Sequence, residues 1–219
     1  MTASAPHTPG FSTTRLALVV GASVAAIVLG HLFDRAALSS IAAPGAANED
    51  WNRALRITGY VPTWLVIALA FALIDRARAV FLPPLINRWS RAATIALAPI
   101  LAGLLAELLK LLIRRQRPDP DAHALYAFRP FADNTWSTSG LGMPSSHTAV
   151  SFAAAYILAR LHPPAAPPWF ALAPRSALTR LLAGAHFLSD AAGGALTGLA
   201  AGAITWRLHL ARAPRAVTP

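Results

Sequence analysis

The sequence predicts an all-α fold: a polytopic membrane protein built as a single bundle of six transmembrane helices. Two observations carry this. Of 219 residues, 55% are hydrophobic and only 13% charged, with a mean hydropathy of +0.49. A soluble domain carries roughly twice that charged fraction. The apolar residues are also gathered into six runs, most near the ~20 residues that one membrane span needs. Cysteine is absent, which removes disulfides and thiolate metal sites from consideration. The net charge of +10 is not read as a nucleic-acid signal, because most of the arginines flank apolar runs, where positive charge sets membrane orientation.

Residues 1–14 are polar, with Pro6, Pro9 and Gly10, and predict a disordered cytoplasmic tail. Leu16 to Phe33 is the first span. It is too long for a signal-peptide core, and Asp34 and Arg35 separate it from any cleavage site. Residues 34–56 predict an aqueous loop, with an interfacial helix around Trp51. The second span covers Ile57 to Ile74, with Tyr60 and Trp64 as interface anchors. A basic loop broken by Pro83-Pro84 leads to the third span, Ala92 to Ile113. The longest polar segment, Arg114 to Met143, precedes the fourth span, Pro144 to Leu161. The fifth span, Trp169 to Ala185, is interrupted by Pro174 and Arg175 and is expected to start late or kink. The sixth, Asp190 to Trp206, is rich in Gly and Ala, as close helix packing in lipid requires. The spanning domain is thus 15–210, and 211–219 is a second cytoplasmic tail. Counting Lys and Arg between spans favours both termini in the cytoplasm, provided the basic cluster on the outer face has a separate purpose; compactness and the lack of targeting signals suggest a bacterial inner membrane.

That topology brings three stretches to the outer, periplasmic face. The first is Lys110-Leu111-Leu112-Ile113-Arg114-Arg115-Gln116-Arg117-Pro118, where seven residues would place Lys110 and Arg117 on one helix face and Pro118 would end the helix. Arg114 and Arg115 read as snorkelling anchors or lipid-headgroup contacts; they could also hold a second phosphate. The second stretch is Pro144-Ser145-Ser146-His147. With Pro144 at the first helical position, the N–H groups of Ser145, Ser146 and His147 would open toward an anion. In the third, His186 and Asp190 are four residues apart, so on a helix the carboxylate can fix the imidazole tautomer. Arg180 lies about 120° from His186 on an ideal helix and reaches it only if the helix breaks near Gly184. Three cations, two serines, two histidines and a carboxylate make the electrostatic clamp that phosphoryl transfer needs.

The order Lys110-x6-Arg117-Pro118, Pro144-Ser145-Ser146-His147, Arg180-x5-His186-x3-Asp190 resembles the type-2 phosphatidic acid phosphatase superfamily, whose motifs read K-x6-R-P, P-S-G-H and S-R-x5-H-x3-D. The resemblance implies that Lys110, Arg117, Ser145, the N–H of Ser146 and Arg180 bind phosphate. It implies further that His186 attacks phosphorus, that Asp190 orients it and that His147 protonates the leaving group, with no metal or other cofactor. Ser146 stands where the family has glycine, so its side chain either crowds the site or adds a hydroxyl; Thr179 stands where the family has serine. The expected substrate is a lipid phosphate or diphosphate, with undecaprenyl diphosphate first and phosphatidylglycerol phosphate, phosphatidate or lipid A phosphate behind it. Two alternatives stay open: phosphate transfer to another lipid on the same scaffold, and a non-enzymatic lipid-binding or transport protein.

Overall fold

A computed structural model describes residues 13–79, 88–119 and 125–212. The predicted tails and the Pro83-Pro84 break fall largely outside these residues. Seven α-helices follow in order: α1 Thr13–Ile41, α2 Asp50–Arg56, α3 Val61–Ala79, α4 Arg88–Ile113, α5 Ser146–Leu161, α6 Ala166–Leu182 and α7 Leu188–Arg212. Short 3-10 turns occupy Pro44–Asn48, Ile57–Gly59 and Pro163–Ala165. Among the described residues there is no strand, only two isolated bridges. The six longer helices coincide with the six predicted runs, and α2 is the helix expected around Trp51.

By length and hydropathy, two helices qualify as membrane-crossing, Gly21–Ile41 and Arg91–Ile113. Residues 50–59 with 61–77 make a third if that pair, bent by 69°, counts as one span. The large apolar side chains point outward. Leu29, Leu32 and Phe33 of α1, Leu65, Val66 and Leu69 of α3, and Leu104, Leu108 and Leu112 of α4 are all exposed. The interior is rich in alanine, with Trp64, Ile95, Ile157 and Leu158 among the larger buried side chains. Ala98, Ala102 and Ala106 stack along one face of α4 against Ala149, Val150, Ala153 and Ala154 of α5. Helices gain little by burying leucine when lipid is equally apolar, so close backbone approach does the packing.

Helix α5 is the axis of the bundle, packed against α4, α6 and α7. On α7, Gly194, Gly198 and Gly202 recur every four residues and face Ser145, Ala149 and Tyr156 of α5. A Cβ at Gly194 would lie 2.5 Å from the Ser145 carbonyl oxygen, and one at Gly202 would lie 2.9 Å from Tyr156 Cβ. The small-residue packing expected of the sixth span is therefore spent on α5.

Several boundaries correct the sequence reading. Helix α1 runs on to Ile41, so Asp34 is a helical and fully buried residue, not part of an aqueous loop. Trp64 is not an interface anchor: it is buried in the core, its indole N–H donating to the Thr58 carbonyl at 2.9 Å. Helix α6 neither starts late nor breaks at Pro174. It begins at Ala166, within the proline-rich turn, and ends at Leu182.

Candidate active site

Helix α4 stops at Ile113, five residues before Pro118. Arg114 takes a left-handed conformation (φ 58°), uncommon for a residue with a Cβ. Its side chain holds it there. Arg114 Nε donates to the Arg129 carbonyl at 3.1 Å, and its terminal nitrogens reach the carbonyls of Pro130 (2.8 Å), Asp133 (2.5 Å) and Thr135 (3.3 Å). The chain then runs extended between two neighbours. Gln116 N–H donates to the Ala127 carbonyl and Arg117 N–H to that of Gly140, while Gly142 N–H donates to the Arg115 carbonyl. Lys110 and Arg117 therefore do not share a helix face. Lys110 is in the last turn of α4, and Arg117 is an exposed residue of this extended segment.

Helix α5 starts at Ser146, not at Pro144, and Ser145 is its N-cap, with φ −71° and ψ 113°. Its N–H is not open to a ligand, because it donates to the Asp190 carbonyl at 2.9 Å. The first intrahelical bond is from Ala149 N–H to the Ser145 carbonyl, so the N–H groups of Ser146, His147 and Thr148 have no partner within the helix. The Ser146 hydroxyl lies between two charges of α4. It donates to Glu107 Oε1 at 2.5 Å and accepts from Lys110 Nζ at 2.5 Å, while Lys110 and Glu107 are themselves paired at 2.7 Å. The side chain that departs from the family pattern thus anchors Lys110.

His186 and Asp190 meet differently from the prediction. The helix breaks after Leu182, and Gly184 is left-handed (φ 62°). His186 lies in the short link before α7, and Asp190 in the first turn of α7. Asp190 Oδ2 accepts from the Phe187 N–H at 2.9 Å, as an acidic group at a helix start should, and sits 3.3 Å from His186 Nδ1. A Cβ on Gly142 would lie 2.8 Å from Asp190 Oδ2, so only glycine lets the 140–142 turn close over the carboxylate. Burial pushes the His186 ring below its usual pKa, against the opposing pull of Asp190.

Behind Asp190 lies a network that the sequence reading did not find. Arg115 is 1% exposed. It pairs with Asp190 Oδ1, donates to Ser189 Oγ at 2.8 Å, lies 3.0 Å from His31 Nε2 and 3.9 Å from Asp34 Oδ2, and is stacked 5.1 Å from the ring centres of both Tyr126 and Phe187. Asp34 accepts from Ser189 N–H (2.8 Å), Ser189 Oγ (2.5 Å) and the Tyr126 hydroxyl (2.8 Å). Burial, with the Asp34 bond next, pushes the Tyr126 hydroxyl up to about 12, so it remains a donor. Arg114 and Arg115 are thus neither snorkelling anchors nor lipid contacts, and they cannot offer a second phosphate a free guanidinium. The only sequence signal for Asp34 was a carboxylate at the end of an apolar run.

On the other side, His147 is held by Gly59 and Tyr60. A Cβ at Gly59 would lie 2.8 Å from His147 Cβ and 2.6 Å from Ser176 Oγ, and the Tyr60 ring meets the imidazole edge-on at 4.7 Å. Arg180, His186, Lys110 and Arg56 all bear electrostatically on His147, and Arg117 and Arg56 on Arg180. The buried nitrogens His147 Nε2, Arg180 Nε and Arg56 Nε have no hydrogen-bond partner. The residues predicted from three separate stretches therefore gather in one place. Arg56, which the sequence reading left in a loop, is among them.

A helical scaffold that gathers cations around two histidines suits the handling of phosphate. The PAP2 superfamily pattern matches residues 91–214, more than half of the chain, which belongs to that superfamily and is a phosphatase. Two curated relatives, the decaprenylphosphoryl-5-phosphoribose phosphatases of two Mycobacterium tuberculosis strains, are each 36% identical over 141 residues, covering 64% of this chain and 68% of theirs. No solved structure matches the chain.

Proposed function

We propose that the protein is an integral membrane lipid phosphatase that hydrolyses a phosphomonoester on a polyprenyl lipid through a phosphohistidine. The observation that supports it most is the His186–Asp190 pair. With its proton on Nδ1 donating to Asp190, His186 has a lone pair at Nε2 to attack phosphorus. Lys110, Arg117, Arg180 and the first-turn N–H groups of α5, including that of Ser146, would neutralise the equatorial oxygens; Ser145 would brace that turn from its N-cap position. His147 would give its proton to the leaving oxygen, then take one from the water that cleaves the phosphohistidine. In balance, the P–O bond breaks as the P–N bond forms, and water reverses the second bond to release phosphate.

The six longer helices would form one spanning unit over 15–210, both termini in the cytoplasm and the site on the outer face of a bacterial inner membrane. The outward-facing leucines support this, as do Phe128, Phe131 and Trp136, exposed on the segment between α4 and α5, since aromatic residues are enriched at membrane interfaces. The substrate named for the relatives favours a polyprenyl phosphosugar over undecaprenyl diphosphate, which is the next compound to assay. Purified protein should release phosphate from such lipids in EDTA, and His186→Ala should abolish release. Full activity in that variant would overturn the mechanism, and label passing to a second lipid instead of to free phosphate would indicate a transferase.

A further inference from the structure

We propose that Arg56 forms a subsite for a second phosphate group, carried by the substrate next to the one that is hydrolysed. The inference rests on the phosphatase reading above and names a feature of its substrate. Arg56 ends α2, four residues before the tyrosine that packs on His147 and three before the glycine that seats it. It reaches the site from an element outside the three phosphate-binding motifs. An arginine at a helix C-terminus is ordinarily solvated, where it complements the helix dipole. Here the Nε is buried and unpartnered, as are His147 Nε2 and Arg180 Nε beside it.

A count of charges shows why one phosphate is not enough. Lys110 is paired with Glu107, and Arg115 with Asp190 and Asp34. Arg53, one turn before Arg56, pairs with Asp50. Among the described residues no carboxylate pairs with Arg56, Arg117 or Arg180. A phosphomonoester brings roughly two negative charges near neutral pH, which two guanidiniums match. The third guanidinium is left over, partly desolvated, and its natural partner is another phosphate oxygen within reach of the first. A diphosphate, or a phosphosugar joined to its lipid by a phosphodiester, supplies such a group; phosphatidate does not. A neighbouring anionic phospholipid would offer the same chemistry, so the test separates the two sources.

The full chain in neutral detergent, free of anionic lipid, should be assayed on phosphatidate and on a lipid diphosphate, as wild type and as Arg56→Gln and Arg56→Lys. Loss of one charge-assisted contact should raise KM for the diphosphate by about tenfold more than for phosphatidate, with kcat little changed and partial recovery in Arg56→Lys. An equal change on both substrates, or none, overturns the proposal. So does an Arg56 effect on phosphatidate that appears only in vesicles containing phosphatidylglycerol, which would assign the contact to a neighbouring lipid. Binding of inorganic pyrophosphate against inorganic phosphate, followed by thermal shift, gives a second reading without turnover. Wild type should prefer pyrophosphate and Arg56→Gln should lose that preference; an unchanged preference overturns the subsite. If the wild type hydrolyses no lipid yet shows that preference, the phosphatase reading fails while the subsite stands.

Discussion

The two sides of the candidate site are built on opposite principles. Behind His186, every charge is buried and paired: Asp190 with Arg115 and the Phe187 N–H, Arg115 with Ser189 and His31, Asp34 with Ser189 and Tyr126. In front, around His147, the guanidiniums of Arg56 and Arg180 bear electrostatically on one another. Among the described residues neither is paired with a carboxylate, whereas Arg115 behind is ion-paired although its Nε also lacks a hydrogen bond. The first side holds a side chain in one place. The second leaves cations without a carboxylate partner among the described residues, which is the arrangement the proposed phosphate site requires. Preorganised charge of this kind stabilises a transition state without reorganisation during the reaction.

This contrast can be broken most severely at Arg115. Arg115→Ala would leave Asp190 and Asp34 buried without their cation. Removing one partner of a buried ion pair costs about 3–5 kcal/mol, so unfolding in detergent should shift by that amount and turnover should collapse with it. A small shift would show that the rear network is dispensable. Gly59→Ala tests the front. Its Cβ would press on His147 and Ser176, and overpacking of this kind costs about 1–3 kcal/mol. Here activity should fall further than stability, because the displaced group is His147; equal losses would argue that Gly59 only packs.

Smaller again is Ser146→Gly. The structure gives the hydroxyl two partners, Glu107 and Lys110, so restoring the family glycine should weaken phosphate binding rather than leave it untouched. One hydrogen bond to a charged group is worth about 1.5–3 kcal/mol. Glu107 still holds Lys110, so the lower end is expected, seen as a KM increase of roughly tenfold with little change in kcat. An unchanged KM would make the hydroxyl incidental. The pH dependence is the subtlest measurement. In the proposed mechanism His186 attacks as a neutral ring, and burial lowers its pKa, so the acid limb of kcat/KM should fall below the ordinary histidine value of about 6.5. The unfolded chain then binds that proton more readily than the folded one, so stability should also fall as pH drops through this range. An acid limb above 6.5 that is traced to His186 would contradict its burial.

The positions of the longer helices and the family motifs were legible in the sequence. Apolar runs near span length leave a helix as the main way to satisfy the backbone in lipid, and the three motifs keep their chemistry wherever the chain carries them. Tertiary structure decided what those residues do to one another. Sequence spacing predicted Lys110 and Arg117 on one helix face, but Arg114 ends the helix between them because four carbonyls from a distant loop receive its side chain. Arg115 read as a membrane anchor, since nothing local shows that Asp34, 81 positions earlier, and Asp190, 75 later, converge on it. Arg56 had no local mark at all. Ion pairing and desolvation depend on distances through space, and local periodicity carries no information about contacts between segments so far apart in the chain.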